Sequence, residues 1–243
     1  MKLIFIRHGD PIYETDSLTE QGIREAKLLA PRIPTLGGDE FYVSPLGRAQ
    51  ETAKYALEGT GIVPKTLWWL EEFSTVVYRP DKPETGGIAW DWRPEDWTGI
   101  DDLYNVDRWY KLPVFEQAGI EEKHRAVIEC FDAFLEQHGY VREGRMYKAV
   151  APTNDTLVFF CHFGLQALLT AHLFSISPMI LWQGYIAAPT AVTTIVTEER
   201  TEGNAAFRCI SFGDTSHLYV AGEKPGWSGR FCECFANENE RHD

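Results

Sequence analysis

The chain has 243 residues, of which 44% are hydrophobic and 13% aromatic, so it can bury a large core and is not a disordered protein. Its formal net charge of −13 at pH 7 argues against nucleic acid and anionic membranes as partners. No apolar run approaches the ~20 residues that span a bilayer, and the first core strand begins directly after Lys2 where a signal peptide would stand. We therefore expect a cytoplasmic protein with a single α/β domain over residues 1–243.

The first element is a short apolar run, Leu3 to Ile6, that stops abruptly at Arg7, His8 and Gly9. An apolar run without a polar break is typical of a buried parallel strand. Open α/β sheets bind their ligands at the C-terminal ends of such strands. An arginine there offers a fixed cation to an anion, and the histidine offers an imidazole that can act as nucleophile or base near neutral pH. From these residues alone, a strand that ends in an ordinary polar turn is an equally good interpretation.

Strands and helices then alternate along the chain. Helical spacing follows Thr19, a candidate N-cap, and ends at Pro31 and Pro34. Further strands are predicted over residues 40–44, 66–70, 156–161, 191–197 and 206–212, and further helices over residues 45–57, 121–138 and 163–174. This alternation predicts a three-layer α/β/α sandwich with a mostly parallel sheet.

The regular pattern fails from about residue 73 to residue 120. This insert is rich in proline, glycine and tryptophan, and includes Trp90, Trp92, Trp97 and Trp109. A connection of this length inside a compact domain is usually a lid or a binding insert. Tryptophans belong to a core more often than to a substrate platform, so we predict mainly a packing role for the cluster and leave substrate contact open.

Two of the predicted strands run directly into a histidine. The first ends at His8, and the strand over residues 156–161 ends at His162. Parallel strands have their C-terminal ends at the same edge of the sheet, so the two imidazoles are expected to meet there. A site with two histidines and at least one arginine is suited to an anionic substrate.

Five sequence segments, taken together, resemble the histidine phosphatase superfamily, which has the phosphoglycerate-mutase-like fold. They are Arg7-His8-Gly9, Leu18-Thr19-Glu20-Gln21-Gly22, the run from Ser44 to Ala53, Leu70-Glu71-Glu72-Phe73, and the late His162. The segments occur in the family's order and cover most of the chain outside the insert. The resemblance favours the phosphatase branch, and it implies a small phosphorylated metabolite as substrate and no cofactor or metal.

The resemblance also implies roles for individual residues. His8 is the nucleophile that attacks phosphorus and forms a phosphohistidine, with its second ring nitrogen donating to a backbone carbonyl. Arg7 and Arg48 hold the phosphoryl oxygens, because planar guanidinium groups match them well. His162, if protonated, adds a third cationic donor, and the helix that starts at Phe163 directs backbone N–H groups to the same place.

A carboxylate after the third strand serves as acid and base in this family. Glu72 is our choice for that role, because Leu70-Glu71-Glu72 fits the Leu-x-Glu pattern of the family. Glu71 competes with it, and Asp10, next to the nucleophile, is the runner-up. The expected activity is metal-independent hydrolysis of a phosphomonoester.

Two other functions remain open from the sequence. A phosphoglycerate-type mutase shares the fold, but the insert lacks the basic, glycine-rich segment that resembles the substrate clamp of the mutases. A non-catalytic phosphate-binding module would not need an acid. The chain also departs from the family at Phe163-Gly164, where two glycines are common, and at Glu14, where an asparagine is frequent. These departures leave the natural substrate undetermined.

Four features lie outside the motifs. His217 is predicted to support the pocket without contacting substrate, and residues 233–243 are predicted to form a solvated, partly frayed end. Small buried cysteines are expected at Cys130, Cys161 and Cys209. The close pair Cys232 and Cys234 lacks a second pair of ligands at zinc spacing, which argues against a metal site.

Overall fold

The computed structural model describes residues 1–242. Its strands are β1 (Lys2–Arg7), β2 (Pro11–Ile12), β3 (Ser17–Leu18), β4 (Glu40–Val43), β5 (Lys65–Thr66), β6 (Tyr140–Glu143), β7 (Met146–Ala149), β8 (Thr156–Cys161), β9 (Val192–Thr201) and β10 (Asn204–Asp214). Its α-helices are α1 (Glu20–Leu29), α2 (Ile33–Leu36), α3 (Gly47–Ala56), α4 (Pro94–Trp97), α5 (Pro113–Gln117), α6 (Ile120–Gln137), α7 (Phe163–Phe174), α8 (Pro178–Gly184) and α9 (Ser216–Ala221). Short 3-10 helices occur at Ala30–Arg32, Trp68–Leu70, Asp101–Tyr104 and Trp109–Lys111.

Eight strands form one sheet in the order β5-β4-β8-β1-β9-β10-β7-β6. Strands β5, β4, β8 and β1 are parallel, whereas β9, β10, β7 and β6 extend the sheet with antiparallel pairings. Arg7 at the end of β1 is in register with Cys161 at the end of β8. The residues that follow, His8 and His162, therefore leave the sheet side by side. The predicted α/β fold is confirmed, and its parallel half carries both histidines.

Alternate residues of β1 pack on opposite faces of the sheet. Ile4 and Ile6 join a core cluster with residues of α1 and α3. Leu3 and Phe5 join a larger cluster with residues of α6, α7 and the insert. Burial on both faces explains the continuous apolar run in the sequence and gives the predicted three layers.

Two regions differ from the sequence-based elements. The predicted strand over residues 66–70 is only Lys65–Thr66, because the chain then turns in the 3-10 helix Trp68–Leu70. This turn buries Trp69 against Phe131 and Phe134 of α6. The β6–β7 hairpin was not predicted, because each strand has four residues and too little apolar alternation to be recognised.

The insert has little regular structure but a well-packed interior. Trp90, Trp92 and Trp109 are all buried, which confirms the packing role expected of the cluster. An ion pair between Arg79 and Asp81 (2.7 Å) is also buried, and Arg79 donates to the backbone carbonyl of Trp90. These contacts hold the insert together, and the Trp92 N–H donates to Gln183 Oε1 (3.2 Å) of α8, which attaches the segment to the rest of the protein.

The C-terminal segment, residues 226–242, folds back over the edge of the parallel half. The Gly226 N–H donates to Glu25 Oε1 (2.7 Å), and Ser228 accepts two hydrogen bonds from Arg7. The predicted solvated, partly frayed end, residues 233–243, begins after these contacts; residues 233–236 are exposed as expected, and Asp243 lies outside the described residues. The composition of this segment shows that it is acidic, but it does not predict the contacts with β1 and α1.

The cysteines differ in their exposure to solvent. Cys161 is buried, but Cys130 is half-buried and Cys209 is exposed, so the expectation of three core cysteines is wrong for Cys209. All five cysteines are free thiols.

Among residues 1–242, no helix combines the length and the apolar character that crossing a membrane requires.

Candidate active site

A cavity of about 1240 Å³ opens at the C-terminal ends of the parallel strands. Arg7, His8, Arg48 and Glu72 all form part of its wall. Three neighbouring strands supply the base of the site: β1 leads into His8, β8 into His162, and β4 into Ser44. Most of the predicted site residues are thus brought together by strand order alone.

The imidazole of His8 is buried and fixed in one tautomer. Its Nδ1 donates to the carbonyl of Gly9 (2.7 Å), so Nε2 is the nitrogen with a free lone pair. Burial lowers the pKa of His8 well below its usual value, and the charges of Arg7 and Arg48 lower it further. A neutral imidazole with an exposed lone pair is the form that a nucleophile requires, and the expected bond to a backbone carbonyl is present.

The backbone of His8 is held by a buried loop. Its carbonyl accepts from the Thr190 N–H (3.2 Å), and its own N–H donates to Cys161 O (2.9 Å). The hydroxyl of Thr190 accepts from His217 Nε2 (3.0 Å) because it already donates to the carbonyl of Pro189. His217 does not line the cavity and contacts the nucleophile only through this loop, as the supporting role predicted for it requires.

Arg7 is almost completely buried, and protein oxygens accept hydrogen bonds from part of its guanidinium group. Nη1 donates to Ala187 O (2.6 Å) and Ser228 O (2.9 Å), and Nη2 donates to Ser228 Oγ (2.8 Å). Nε has no partner. A rigid guanidinium with an unused donor can bind an anion without first losing side-chain freedom.

Arg48 stands in the first turn of α3 and contacts Asp16. The carboxylate of Asp16 accepts from Arg48 Nη1 and from the Gly47 N–H (2.5 Å). Nε of Arg48 has no partner, and its guanidinium carbon lies 5.6 Å from the centre of the Tyr13 ring. Gly47 is required here because a Cβ would stand 2.2 Å from the Asp16 carbonyl. Asp16 thus aims Arg48 at the cavity.

His162 is fully buried and is not part of the cavity wall. Its ring centre lies 5.1 Å from that of His8, and Nε2 lies 2.7 Å from Ser44 Oγ. Burial and the neighbouring His8, Arg48 and Arg7 lower the pKa of His162 well below its usual value. The role of third cationic donor was conditional on protonation, and these surroundings favour the neutral imidazole.

The neutral His162 can still donate a hydrogen bond. Ser44 Oγ accepts from the Leu46 N–H (3.2 Å), and His162 Nε2 is the only acceptor for its hydroxyl hydrogen among the described residues, so we assign that hydrogen to this bond. The ring hydrogen is then on Nδ1, which is buried and has no partner. An unpaired buried donor beside the nucleophile is poised for a ligand oxygen.

Glu72 caps the first turn of α7. Its Oε1 accepts from the N–H groups of Phe73 and Leu165 (2.8 Å each), and Oε2 accepts from Gly164 N–H at 3.3 Å. The helix start at Phe163 therefore directs the Gly164 and Leu165 N–H groups to a carboxylate, and the prediction that the first turn meets the phosphoryl group is wrong for these two. Burial raises the pKa of Glu72, although the three N–H groups and Arg48 oppose the rise.

The two competing carboxylates lie elsewhere. Glu71 is exposed and does not line the cavity. Asp10 is also absent from the cavity wall, and its Oδ2 accepts from the Thr19 hydroxyl at 2.9 Å. Glu14, at the position of the family's asparagine, is exposed as well. Of the three candidates, only Glu72 reaches the cavity.

Sequence reasoning missed three residues that hold the site together. Ser44 orients His162, Asp16 orients Arg48, and Ser228 binds Arg7. Ser44 lies inside the quoted Ser44–Ala53 motif and could have been found from it. Asp16 and Ser228 carry no local signal, because each meets its arginine only through the tertiary fold.

The sequence matches the histidine phosphatase superfamily (branch 1) over residues 3–209. Because this match spans most of the chain, and its two histidines meet as described above, the protein belongs to that superfamily.

Several known proteins are similar to this chain. It is 35% identical over 86 residues to a probable phosphoglycerate mutase of Yersinia pestis, a match that spans 32% of this chain and 40% of the relative. A phosphoserine phosphatase of Entamoeba histolytica in complex with 3-phosphoglyceric acid aligns with a TM-score of 0.57 and 21% identity, over 89% of this chain and 98% of that one. An alpha-ribazole phosphatase of Shigella flexneri gives a TM-score of 0.55 and 21% identity, over 88% of this chain and 97% of that one. These structures share the fold.

Proposed function

We propose that the protein is a phosphomonoester hydrolase that works through a phosphohistidine on His8. The observation that carries the proposal is the neutral, tautomer-fixed imidazole of His8, which shares one cavity wall with Arg7, Arg48 and Glu72. A nucleophile, two cations and a carboxylic acid are the groups that two successive displacements at phosphorus require.

In the first step, His8 Nε2 attacks phosphorus and the bond from phosphorus to the ester oxygen breaks. The free N–H groups of Arg7 and Arg48 bind the phosphoryl oxygens, and the charge that develops there is stabilised by about 3 kcal/mol per well-placed donor. His162 donates through Nδ1 to the same group. A bound phosphoryl dianion also favours protonation of His162, because its negative charge offsets the neighbouring cations.

The leaving oxygen takes its proton from Glu72. Oε1 already accepts two short hydrogen bonds, whereas Oε2 accepts one at 3.3 Å, so Oε2 is the oxygen with room for a proton. The raised pKa of Glu72 favours the protonated acid that this step consumes.

In the second step, the now ionised Glu72 takes a proton from a water molecule as that water attacks the phosphohistidine. The bond from phosphorus to Nε2 breaks, inorganic phosphate leaves, and both His8 and Glu72 return to their starting forms. None of these steps draws on a metal, so we propose metal-independent hydrolysis.

A phosphoglycerate-type mutase is the second candidate, because the chain is similar in part to a probable mutase of that kind. A mutase returns the phosphoryl group to a sugar-acid hydroxyl and so interconverts 2- and 3-phosphoglycerate. Phosphorus NMR distinguishes the two activities, because a hydrolase releases inorganic phosphate and a mutase yields the isomer. We expect inorganic phosphate.

The decisive experiment measures hydrolysis of phenyl phosphate in the presence of EDTA. We expect turnover by the wild-type protein, none by His8→Ala, and wild-type rates for His138→Ala, a histidine outside the cavity. Acid quenching during turnover followed by peptide mass spectrometry should locate a phosphoryl group on His8. Full activity in His8→Ala, or strict dependence on an added divalent metal, contradicts the mechanism. Binding of phosphate without any turnover would indicate a non-catalytic module.

A further inference from the structure

The cavity is larger than a phosphoryl group needs. Its volume of about 1240 Å³ exceeds the roughly 300–1,000 Å³ typical of pockets that enclose a whole drug-sized ligand. His8, Arg7, Arg48 and Glu72 account for the region around phosphorus. The remaining wall is therefore available to the alcohol portion of the substrate.

This remaining wall is rich in aromatic side chains from three separate segments. The insert contributes Trp90 and Trp92, α8 contributes Trp182, and the C-terminal segment contributes Trp227 and Phe231. Trp227 is half exposed, and the guanidinium carbon of Arg230 lies 4.2 Å from its ring centre. Trp90, Trp92 and Trp182 are almost completely buried, so Trp227 supplies most of the exposed ring surface. An exposed ring in a cavity favours a planar apolar partner, because ring stacking adds to simple burial.

The same wall carries two hydrogen-bond donors without protein partners. Trp92 is 95% buried, since only 5% of its surface is exposed, and its Nε1 is unpaired. Nε2 of Gln183 is also unpaired, while its Oε1 accepts from the backbone N–H of Trp92 at 3.2 Å. Buried donors in native proteins are nearly always satisfied, so the protein alone leaves the hydrogen bonding of this part of the wall incomplete.

Two of the five aromatic residues of this wall lie beyond the part of the chain that matches the superfamily model. The match ends at residue 209, whereas Trp227 and Phe231 lie beyond it. The C-terminal segment also approaches the insert, where Arg241 lies 3.9 Å from Asp91. Asp91 has a φ of +64°, a backbone strain that is common at ligand-binding positions.

We infer that this wall is a leaving-group subsite for phosphomonoesters whose alcohol portion carries an aromatic ring, with Trp227 as a specificity-determining residue. The inference rests on the proposed hydrolase activity and adds the class of substrate. The ring lies among the aromatic side chains of the insert and the C-terminal segment while phosphorus lies against His8.

Three esters of primary alcohols test the inference: ethyl phosphate, 2-cyclohexylethyl phosphate and 2-phenylethyl phosphate. The methylene groups insulate phosphorus from the ring, so the three leaving groups are chemically similar. We expect kcat/KM to be about 10-fold or more higher for the phenyl ester than for the ethyl ester. The phenyl ester should also exceed the cyclohexyl ester, which matches it in size but cannot stack.

Variants of Trp227 test whether this residue causes the preference for the phenyl ester. Trp227→Ala should reduce the phenyl-to-ethyl ratio severalfold, and Trp227→Phe should retain most of it. Trp68→Ala is the matched control, because Trp68 is 62% exposed but lies outside the cavity. An unchanged ratio in Trp227→Ala, or an equal loss in Trp68→Ala, overturns the role of Trp227.

Binding measurements distinguish the proposed subsite from the proposed hydrolase activity. Calorimetry with His8→Ala gives the affinities of the three esters without turnover, and we expect the phenyl ester to bind most tightly. Equal values of kcat/KM for all esters, with hydrolysis that depends on His8, overturn the subsite and leave the hydrolase. Absence of hydrolysis with the ranking of affinities intact supports the subsite and overturns the proposed function.

Discussion

The parallel half of the sheet and the aromatic wall of the cavity are built in opposite ways. In the parallel half, His8, Ser44 and His162 stand one residue past the ends of neighbouring strands, so backbone pairing sets their spacing. Apart from Trp182 of α8, the aromatic wall comes from the irregular insert and the C-terminal segment, which meet only in the folded protein. Apart from Glu72, the residues of the reaction therefore stand at the ends of regular elements, whereas most residues of the wall stand in loops.

This difference predicts that substitutions in the parallel half affect every substrate, whereas substitutions in the wall change the ranking of substrates. The largest effect is expected for Arg48→Ala. It should lower kcat/KM by about 10²-fold or more for aryl and alkyl phosphates alike, because a donor to developing charge is lost. Arg24→Ala is the control, since Arg24 is an exposed arginine whose ion pair lies outside the cavity. A folded Arg48→Ala protein with wild-type kinetics would remove Arg48 from the clamp.

A more selective loss is expected for Glu72→Gln. An activated aryl phosphate needs little protonation of its leaving group, whereas an alkyl phosphate needs a great deal. Glu72→Gln should therefore lower kcat/KM for an alkyl phosphate by about 10²-fold while the phosphorylation of His8 by 4-nitrophenyl phosphate changes far less. Glu71→Gln, at the exposed neighbour, should leave both substrates unchanged. Selective loss in Asp10→Asn instead would transfer the role to Asp10.

The pH profile tests the same acid. Burial raises the pKa of Glu72, so the protonated form persists to higher pH than in a free glutamate. Alkyl phosphate hydrolysis should decline as pH rises through that raised pKa, and the decline should disappear in Glu72→Gln. A profile with the same alkaline limb in wild type and variant would show that another group donates the proton.

A smaller effect is expected where the two regions touch. Ser228→Ala removes one of the three hydrogen bonds that hold the Arg7 guanidinium, and a single bond of this kind is worth about 1 kcal/mol. We expect kcat/KM to fall severalfold, with similar losses for all three test esters. Ser216→Ala, a serine outside the cavity, should have no effect. A loss confined to the ring-bearing esters would show that Ser228 acts through the wall.

Two histidines outside both regions resist protonation, His217 on α9 and the partly buried His124 on α6. Burial lowers the pKa of His217, beside the sheet, and of His124, against Trp109 of the insert, from 6.5 to about 4. Between these values the unfolded chain binds more protons, so stability is retained at neutral pH and declines as pH falls from 6.5 towards 4. Each histidine should remove about 1–2 kcal/mol of stability by pH 5. Denaturant unfolding at pH 7 and pH 5 should show a smaller difference for His124→Phe; an unchanged difference contradicts this.

The sequence was most informative where function coincides with regular structure. His8 and His162 could be paired because both follow apolar strands, and parallel strands end at one edge. Glu72 could be chosen only by resemblance to the family pattern, and its capping of α7 could not be foreseen. The protonation state of His162 was also beyond the sequence, because it depends on burial next to two arginines and a second imidazole.

The aromatic wall was the least predictable part, because tertiary contacts and not regular structure bring its residues together. Trp227 and Phe231 stand in a stretch without periodicity, and the acidic residues after them are typical of a solvated end. What holds the stretch in place are contacts with Glu25 and Arg7, near the other end of the chain. No local pattern encodes such a pairing.

The hydrogen bonds between Arg7 and Ser228 join residues 221 positions apart. Contacts with so large a sequence separation close the longest loops and contribute most to slow folding. During synthesis, β1 and the strands that flank it can pair once β9 has emerged from the ribosome, but Arg7 obtains its last partner only after Ser228 has been added. The newly made protein would thus acquire its nucleophile before its arginine is fully restrained, and phosphate bound early could occupy the same guanidinium and compete with the closing segment.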